Sequence, residues 1–415
     1  MPRFPVSLFL PAVSGGSDEV NSRLIEAGYH VLTVFNYGLI ITGVTSGNRW
    51  FRTFALMISA CVAAGFLAAC SGNAPIQAGG AGSKSGHYTI ALSNSYIGNM
   101  WRVEMENEFK SACASAPLKG HVTCPVYNAN NDVSAQKQQI SDLISSGVGA
   151  IVTDAASPDG LNNVIQQACS QHILVVSFDN TVTAPCALKV NQNQYQMGYQ
   201  WAQWVASQIH GRGNVLMITG VAGTYVNQQR DAGAQAVFKK YPGIHVVNQL
   251  NGQWDSQVAQ QVTSAALPTL PKINAIWCQG GTNGVLKAFQ QAGRPLPPTA
   301  GESENGFRQL MSSGKVKGYS IGQAPYLGTA ALAIAEGILS GKLKKASFAS
   351  YNLPLSPVTD SSATAGKTWF PGVSSDFFAD VTDTSGGAPV KGLCVNAAKS
   401  GTVCPSKALT YSFSS

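Results

Sequence analysis

The sequence repeats one arrangement of segments, and this repeat restricts the fold more than any other feature. The segment VYNANNDVSAQKQQISDLISS, from Val126, matches VVNQLNGQWDSQVAQQVTSAA, from Val246, with similar residues at corresponding places. The segment GAIVTDAASPDGLNNVIQQA, from Gly149, likewise matches NAIWCQGGTNGVLKAFQQA, from Asn274. Each copy has the order strand, loop, helix, strand, loop, helix. The repeat therefore predicts two lobes of the same construction.

Alternating strands and helices also predict how the strands are joined. Parallel strands need long crossover connections, usually helices, and such crossovers are right-handed. We therefore expect an α/β fold with one parallel, Rossmann-like sheet in each lobe. The C-terminal ends of the two sheets would face each other across a cleft, which is where open α/β sheets bind ligands.

The stretch from 214 to 241 is the clearest single unit of this kind. An apolar run at 215–218 is closed by Gly220, a loop of small residues follows, and a helix is expected to start near Gln228. Arg230 lies at the mouth of that loop. Its planar guanidinium offers several donors to hydroxyl groups or to an anion. The alternative is an ordinary arginine on the surface of a helix.

Local signals place the elements of the first lobe. Strand patterns occur at 87–92, 121–127, 150–153 and 173–178. Asp132 is expected to cap the helix after the second strand. Ser157 and Pro158 are expected to start the helix after the third strand, since a cap followed by a first-turn proline favours that position.

The N-terminal region predicts export. Arg49 and Arg52 precede the run FALMISACVAAGFLAAC, so residues 49–70 have the basic, apolar and small-residue parts of a signal peptide. The ending LAAC resembles the lipobox of bacterial lipoproteins, in which the cysteine, here Cys70, receives the lipid. The alternative is an ordinary signal peptide with a chance cysteine.

Two further segments flank this signal. Residues 71–86 are rich in Gly, Ala and Ser, which is typical of a flexible tether. Residues 1–48 fit no targeting segment and contain acidic residues. We expect them to be a non-native upstream extension, with translation beginning near Val44.

Composition narrows the class of partner and the compartment. Charged residues are 11% of the chain and the formal charge of +7 is spread thinly, so no basic run indicates nucleic acid. Three close cysteine pairs suggest disulfides in an oxidising compartment, with Cys278 left inside an apolar strand. The pairs are Cys113 with Cys124, Cys169 with Cys186, and Cys394 with Cys404, although six cysteines allow about fifteen pairings. No spacing typical of a metal site occurs, and no cofactor is expected.

The signal with its lipobox, the repeated α/β segments, Asp179 at the end of a strand and the loop before Arg230 follow one another in a characteristic order. In this order of features, residues 87–344 resemble the type I periplasmic binding proteins of the ribose and galactose class. The resemblance implies two lobes joined by three hinge crossings, near 190–193, near Gln323 and near Lys342. It assigns 87–190 and 324–343 to the first lobe. It assigns 191–323 and 344–415 to the second lobe and tail.

The resemblance also implies a set of ligand-binding residues. Trp101, with Asn99 and Met100 beside it, stands where the family stacks aromatic rings on a sugar face. Asp179 stands at the acidic position that binds sugar hydroxyls, and a carboxylate accepts such bonds strongly. The remaining positions that correspond to family ligand positions are Asp154, where the family often has Asn, and Asn180, Arg230, Trp254, Gly280, Glu304 and Gln323.

This chain departs from the family pattern at three further places. Asn180 stands where the family commonly has Arg. Gly280 and Gly281 replace the usual Asn-Asp. Near the family's Gly-Phe-Asp, Glu302 and Glu304 are both candidates for the acidic role, and we select Glu304 without excluding Glu302.

The resemblance implies a monomeric, extracytoplasmic solute-binding lipoprotein that delivers a sugar-like ligand to the permease of an ABC importer. A sensor that presents its ligand to a membrane receptor is the alternative, as is a binder of an amino acid or autoinducer. An enzyme is disfavoured because no nucleophile or dinucleotide motif occurs, although Asp154 and Asp179 could form a glycosidase pair. A repressor is disfavoured because a signal peptide stands where a DNA-binding helix pair would be.

Overall fold

The computed structural model describes residues 86–115, 118–345 and 350–380, and the backbone of four short strands outside them. The predicted signal peptide, Cys70 and nearly all of the predicted tether lie outside the described residues, as do Cys394 and Cys404. Two of the short strands, Val34–Phe35 and Gly38–Leu39, form an antiparallel pair by themselves. The described helices include none that is long and apolar enough to cross a membrane.

The first lobe is built on a seven-stranded sheet in which every pair of neighbours is parallel. Its order is β12-β6-β5-β4-β1-β2, and β3 also pairs with β1. The strands are β1 (Tyr88–Asn94), β2 (Val122–Thr123), β3 (Val126–Asn128), β4 (Ala150–Asp154), β5 (Leu174–Phe178), β6 (Leu188–Gln192) and β12 (Ser350–Leu353). The helices of this lobe are α1 (Met100–Ala114), α2 (Val133–Ser145), α3 (Asn162–Ser170) and α9 (Leu327–Leu339).

The second lobe has a six-stranded sheet of order β8-β7-β9-β10-β11-β13, parallel except for its last pair. The strands are β7 (Arg212–Thr219), β8 (Gly243–Asn251), β9 (Ala275–Cys278), β10 (Thr299–Gly301), β11 (Gly318–Ile321) and β13 (Pro357–Thr359). The helices are α4 (Gln194–Gln208), α5 (Tyr225–Phe238), α6 (Ser256–Ala266), α7 (Thr282–Gln291) and α8 (Asn305–Ser312). The predicted α/β class with two parallel sheets is confirmed.

Strand periodicity places a core on each face of both sheets. In β1, Ile90 and Leu92 belong to the core beneath α1 and α9, whereas Ala91 belongs to the core beneath α2 and α3. In β7, the even and odd positions likewise divide between two cores, with Val215 on one face and Leu216 on the other. Successive side chains of a strand point to opposite faces, so a strand covered by helices on both sides is apolar throughout.

Corresponding helices of the two repeats begin in the same way. Asp132 Oδ1 accepts the backbone N–H groups of Ser134 and Ala135 at the start of α2. Asp255 Oδ1 accepts the N–H of Val258 at the start of α6, the repeat partner of α2. The predicted Asp132 cap is therefore confirmed, because its short carboxylate satisfies N–H groups that have no partner inside the helix.

The predicted start of α3 is wrong. The chain forms a turn after Ser157, whose Oγ accepts the N–H of Gly160, and the helix begins only at Asn162. The serine hydroxyl closes a local turn in place of a helix cap, a role in which serine competes with helix formation.

Three crossings join the lobes, and the third lies elsewhere than expected. The chain crosses after β6 at Gln192 and returns after β11 near Gln323. Strand β12 then pairs with β6 of the first sheet, and the chain joins the second sheet again at β13. The last crossing is therefore 354–356 and not Lys342, and residues 344–415 do not all belong to the second lobe. The sequence pattern could not reveal this, because pairing partners are set by tertiary contacts.

One side chain holds the three crossings together. Gln192 Nε2 donates to the carbonyls of Gly322 at 3.3 Å and Pro354 at 3.2 Å. Its Oε1 accepts the N–H of Ala324 at 3.0 Å. The crossings therefore meet at one buried amide.

Residues 361–380, which we call the strap, follow β13 and lie against the second lobe. Asn305 Oδ1 accepts the N–H of Phe370, and the N–H of Asn305 donates to the carbonyl of Phe377 at 2.7 Å. Arg308 pairs with Asp380 at 2.6 Å. Beyond the strap, Val395–Ala397 and Gly401–Val403 form an antiparallel pair.

Two disulfides connect the expected neighbours. Cys113 bonds Cys124, and Cys169 bonds Cys186. Cys278 is a free, buried thiol, as expected, and burial raises its pKa to about 12. The pairing of Cys394 with Cys404 stays a prediction.

Candidate functional site

A cavity lies between the two lobes and is partly open to solvent; its empty volume is about 330 Å³ when the space open to solvent is included. Both lobes, the second crossing and the strap contribute to its wall. The lining residues are Asn99, Trp101, Arg102, Asp179, Val226, Arg230, Trp254, Gln279, Gly280, Glu302, Gln323 and Phe378. Its position at the carboxyl ends of the strands is where α/β sheets place ligands.

The structure brings seven of the eleven predicted site residues to this wall. They are Asn99, Trp101, Asp179, Arg230, Trp254, Gly280 and Gln323. The other four lie elsewhere. Met100 is 36% exposed, and Asp154, Asn180 and Glu304 are buried behind the wall.

The first-lobe side of the site is organised around a guanidinium that the sequence analysis missed. Arg102, in the first turn of α1, donates to Asn94 Oδ1 at 2.7 Å. It also pairs with Asp154 and, at 3.2 Å, with Asp179. Its guanidinium lies 5.0 Å from the centre of the Tyr96 ring, within cation–π range. Arg102 therefore connects the ends of three strands beneath the cavity.

Two carboxyls share this guanidinium, and their surroundings differ. Asp154 is fully buried and Asp179 lines the cavity. Burial and the nearby Asp179 raise the pKa of Asp154 well above its usual range, against the opposing effect of Arg102. Asn180 fixes both groups, since its Nδ2 donates to Asp179 at 2.9 Å and to Asp154 at 3.2 Å. Asp154 and Asn180 are therefore supporting residues of the wall.

Arg230 is the corresponding cation of the second lobe, and every one of its nitrogens has a partner. It donates to Gln194 Oε1 at 2.9 Å, to the carbonyl of Gln279 at 2.9 Å and to Gln323 Oε1 at 2.6 Å. Its Nη2 pairs with Glu302 at 2.7 Å. Burial raises the pKa of Glu302, and Arg230 opposes that rise. The surface-arginine alternative is wrong, because the side chain is almost wholly buried.

Contacts across the cleft join the lobes directly. Asn180 Oδ1 accepts the backbone N–H of Val226, at the start of α5, at 3.0 Å. Gln323, at the second crossing, donates to Asp179 from its Nε2. Gln194 Nε2 donates to Gln323 Oε1 at 2.9 Å. Side chains of both lobes therefore meet at Gln323.

Glycines shape the slot that holds Trp254. A Cβ on Gly220 would overlap the indole ring of Trp254, and a Cβ on Gly280 would lie 3.0 Å from its Cδ1. Gly280 also has a φ of 148°, which favours glycine. Trp254 itself has a φ of 58°, and its Nε1 donates to Gln279 Oε1 at 3.1 Å. The Gly280 departure from the family pattern thus makes room for an aromatic ring at the cavity.

Asp179, which directly follows β5, also has a positive φ, of 53°. Non-glycine residues with positive φ are uncommon and occur often at functional sites. The carbonyl of Asp179 accepts Asn191 Nδ2 at 3.0 Å, which supports the conformation. The turn directs the carboxylate to the cavity while the strand before it stays in the sheet.

The assignment of the acidic role to Glu304 is corrected by the structure. Glu304 accepts the backbone N–H groups of Gly281, Thr282 and Asn283 at the start of α7, at 2.6 to 3.1 Å. Burial raises its pKa to about 7. Its oxygens are occupied by a helix N-terminus, where a carboxylate is favoured. Glu302, the alternative, is the one of these two glutamates that lines the cavity.

Five lining residues were not among the selected positions. They are Arg102, Val226, Gln279, Glu302 and Phe378. Arg102 carried a usable signal, since it directly follows Trp101 in a helix opening after the first strand. Phe378 belongs to an aromatic group in the tail whose location the sequence does not disclose.

The wall is chemically suited to bind hydroxyl groups. Asp179 and Glu302 supply acceptors, Arg102 and Arg230 supply donors, and Gln323 supplies both. Trp101, Trp254 and Phe378 supply flat apolar faces. Among the described residues, no group of three His, Cys, Asp or Glu side chains is placed to hold a metal ion.

Comparison with known proteins gives the same architecture. The family model described as "Periplasmic binding protein domain" matches residues 90–343. Among solved structures, an ABC transporter solute binding protein from Thermobispora bispora superposes with a TM-score of 0.61. It is 30% identical, and the match covers 65% of this chain and 84% of that one.

Two curated relatives are similar in sequence. The xylitol-binding protein of Mycolicibacterium smegmatis is 28% identical over 221 residues, which is 52% of this chain and 63% of that protein, less than two thirds of its length. The ribose import binding protein of Bacillus subtilis is 22% identical over 281 residues, which is 66% of this chain and 90% of that protein.

Proposed function

Because the chain belongs to the periplasmic binding protein domain family, we propose that it is the solute-binding component of an ABC importer and that it binds a neutral sugar or polyol between its lobes. The relatives that carry this proposal are named for ribose and xylitol, which are small polyhydroxy compounds. One observation supports it most directly. The wall of the cavity contains both charge-paired hydrogen-bonding groups and three aromatic side chains.

The charge balance favours a ligand without net charge. Arg102 and Arg230 face three carboxyls, Asp154, Asp179 and Glu302. Both guanidinium groups therefore already have carboxyl partners inside the wall. A charged ligand would have to displace an internal partner from one of these buried pairs, which is costly. Hydroxyl groups can add hydrogen bonds without breaking the pairs.

The same balance disfavours the amino-acid alternative. A zwitterion needs an unpaired cation for its carboxylate and an unpaired anion for its ammonium group. Arg230 is already bonded to Glu302, Gln194 and Gln323. The aromatic rings, in contrast, suit the C–H faces of a sugar.

Binding would act through closure of the lobes. A ligand between Asp179 and Arg230 touches both lobes only when they are close together, so it stabilises the closed arrangement. The contacts of Gln323 and the bond from Val226 to Asn180 accompany that arrangement. A membrane permease would recognise it. A sensor that presents the same closed form to a receptor is the alternative.

The location follows from the family and is extracytoplasmic. We further propose that Cys70 carries a lipid that holds a monomer at the membrane, that 49–70 are removed as a signal peptide and that 71–86 form the tether. The intact mass of detergent-extracted protein tests the lipid, since an unmodified N-terminus contradicts it. Size-exclusion chromatography with light scattering tests the monomer.

A thermal-shift screen tests the function. The chain from residue 86 onward is mixed with D-ribose, xylitol, D-allose, myo-inositol and, as a contrast, L-leucine and L-glutamate. A ligand that binds only the folded state raises the melting temperature. We expect a rise with at least one polyhydroxy compound, loss of that rise in Asp179→Ala, and its retention in Asp142→Asn, an exposed control. A rise with an amino acid alone would contradict the sugar assignment.

A further inference from the structure

We propose that Phe378 is a ligand-contacting residue that the strap delivers into the cleft, and that the strap locks the closed lobes. This inference rests on the proposed solute binding. The strap lies beyond residues 90–343, the part that the family model matches. Phe378 is therefore a contribution to the site from outside the shared domain.

The strap is attached to the second lobe on both sides of Phe378. Before it, the carbonyls of Ser375 and Phe377 accept the N–H groups of Gly306 and Asn305 at 2.9 and 2.7 Å. After it, the N–H of Ala379 donates to the carbonyl of Ser303 at 2.9 Å. The backbone around Phe378 therefore moves with the second lobe.

Phe378 itself reaches the first lobe. Its side chain belongs to the apolar cluster that contains Trp101 and Met105 of α1, and only 5% of the residue is exposed. Its backbone N–H donates to Oε1 of Glu104, also on α1, at 3.0 Å. The strap is thus a link between the lobes that is separate from the three chain crossings.

Opening the cleft must break this link. The hydrogen bond to Glu104 would be lost, and the ring of Phe378 would leave the cluster around Trp101. Burial of an aromatic ring is one of the larger apolar contributions that one residue makes. The strap therefore favours the closed form and slows release of a bound solute.

Phe378 also forms part of the ligand wall. It lines the same cavity as Trp101 and Trp254. An aromatic face there contacts the C–H groups of a sugar or polyol whose hydroxyls bond Asp179 and Arg230. The strap thereby determines affinity as well as the rate of opening.

The test compares two neighbouring phenylalanines of the strap. Phe378→Ala and Phe378→Leu change the residue at the cavity. Phe377→Leu is the matched control, because Phe377 packs with Phe370 and does not line the cavity. Titration calorimetry measures affinity for D-ribose and xylitol, and stopped-flow tryptophan fluorescence measures release.

We expect affinity to fall about tenfold in Phe378→Leu and further in Phe378→Ala, mostly through faster release. The control Phe377→Leu should stay within about threefold of the parent, as expected for a contact remote from the ligand. Equal affinities in Phe378→Leu and Phe377→Leu would overturn the ligand contact.

Small-angle scattering without ligand tests the lock separately. Phe378→Ala should have a larger radius of gyration than the parent and Phe377→Leu, because the lobes open more often. Identical radii would overturn the lock. If the parent binds neither D-ribose nor xylitol, the solute assignment fails for those compounds, and the scattering result still decides whether the strap holds the lobes together.

Discussion

The guanidinium of Arg230 lies 2.7 Å from the carboxylate of Glu302, and both side chains are almost completely buried in the wall of the cleft. The two residues come from different elements, α5 and the loop after β10. Glu302 Oε2 also accepts the backbone N–H of Gln323 at 2.9 Å, so the pair is fixed to the second crossing. The pair therefore connects the wall of the cavity to the second crossing.

Removing one partner of this pair is expected to destabilise the fold strongly. Arg230→Met leaves Glu302 buried without its cation, and breaking a buried pair in this way costs about 3–5 kcal/mol. The double variant Arg230→Met with Glu302→Gln should recover part of that loss, since no unpaired charge remains. Urea unfolding measures both free energies. A loss below about 1 kcal/mol in the single variant would contradict the importance of the pair.

Substitutions of Glu304 and Glu302 are expected to have different effects, the first on the stability of the fold and the second on solute affinity. Glu304→Gln weakens the cap of α7 and should lower the free energy of unfolding by about 1–2 kcal/mol. Its effect on solute affinity should be small, because Glu304 does not line the cavity. Glu302→Gln should weaken affinity for the solute found in the screen at least tenfold. Titration calorimetry measures the affinity of both variants. A larger loss of affinity in Glu304→Gln than in Glu302→Gln would refute the assignment of Glu302 as the ligand-binding glutamate.

A methyl group at Gly220 is expected to displace Trp254. The Cβ of Gly220→Ala would occupy the position of the indole ring, so Trp254 must move and the cavity must change shape. Solute affinity should fall at least tenfold, as expected when an aromatic anchor is lost. The control is Gly149→Ala in the first lobe, where the new Cβ would meet a flexible Leu339 methyl at 3.2 Å. Similar affinities in the two variants would contradict the claim that Gly220 leaves the space that Trp254 needs at the cavity.

Glu108 is expected to make stability fall as pH rises. Burial raises its pKa to about 8 from an ordinary 4.5. Below pH 4.5 both folded and unfolded states are protonated, and between 4.5 and 8 only the folded state keeps the proton. Stability is therefore lost progressively through that window. Burial also raises the pKa of the neighbouring Glu104, which acts in the same direction.

The measurement is the melting temperature of the parent and of Glu108→Gln between pH 5 and 8. The variant lacks the ionising group, so its advantage over the parent should grow with pH. Asp142→Asn, which removes a carboxylate from an exposed position, is the control. A constant difference between the parent and Glu108→Gln across the range would disprove the buried proton.

Local signals were sufficient for much of the fold. The repeated segments gave the order of strands and helices in both lobes, and Asp132 caps α2 as its spacing predicts. The pairs Cys113 with Cys124 and Cys169 with Cys186 are close in sequence, so few geometries can join them. Such features depend on neighbours within one or two elements.

The site was only partly predictable, because its residues come from loops at several strand ends. Glu302 and Glu304 are two positions apart, and only the backbone path after β10 decides which one faces the cavity. Asn180 and Arg102 lie far apart in sequence, yet both contact the carboxyl group of Asp179. This shared contact is visible only when all three side chains are placed.

The sequence by itself determined the two-lobed α/β construction, the strand-end location of the site and most of its polar groups. These follow from hydrophobic periodicity and from the rule that parallel strands end at one edge of a sheet. Tertiary structure decided the position of the last crossing, the partner of Arg230 and the entry of Phe378 into the cleft. Each of these depends on contacts between residues distant in the chain, which local propensity does not encode.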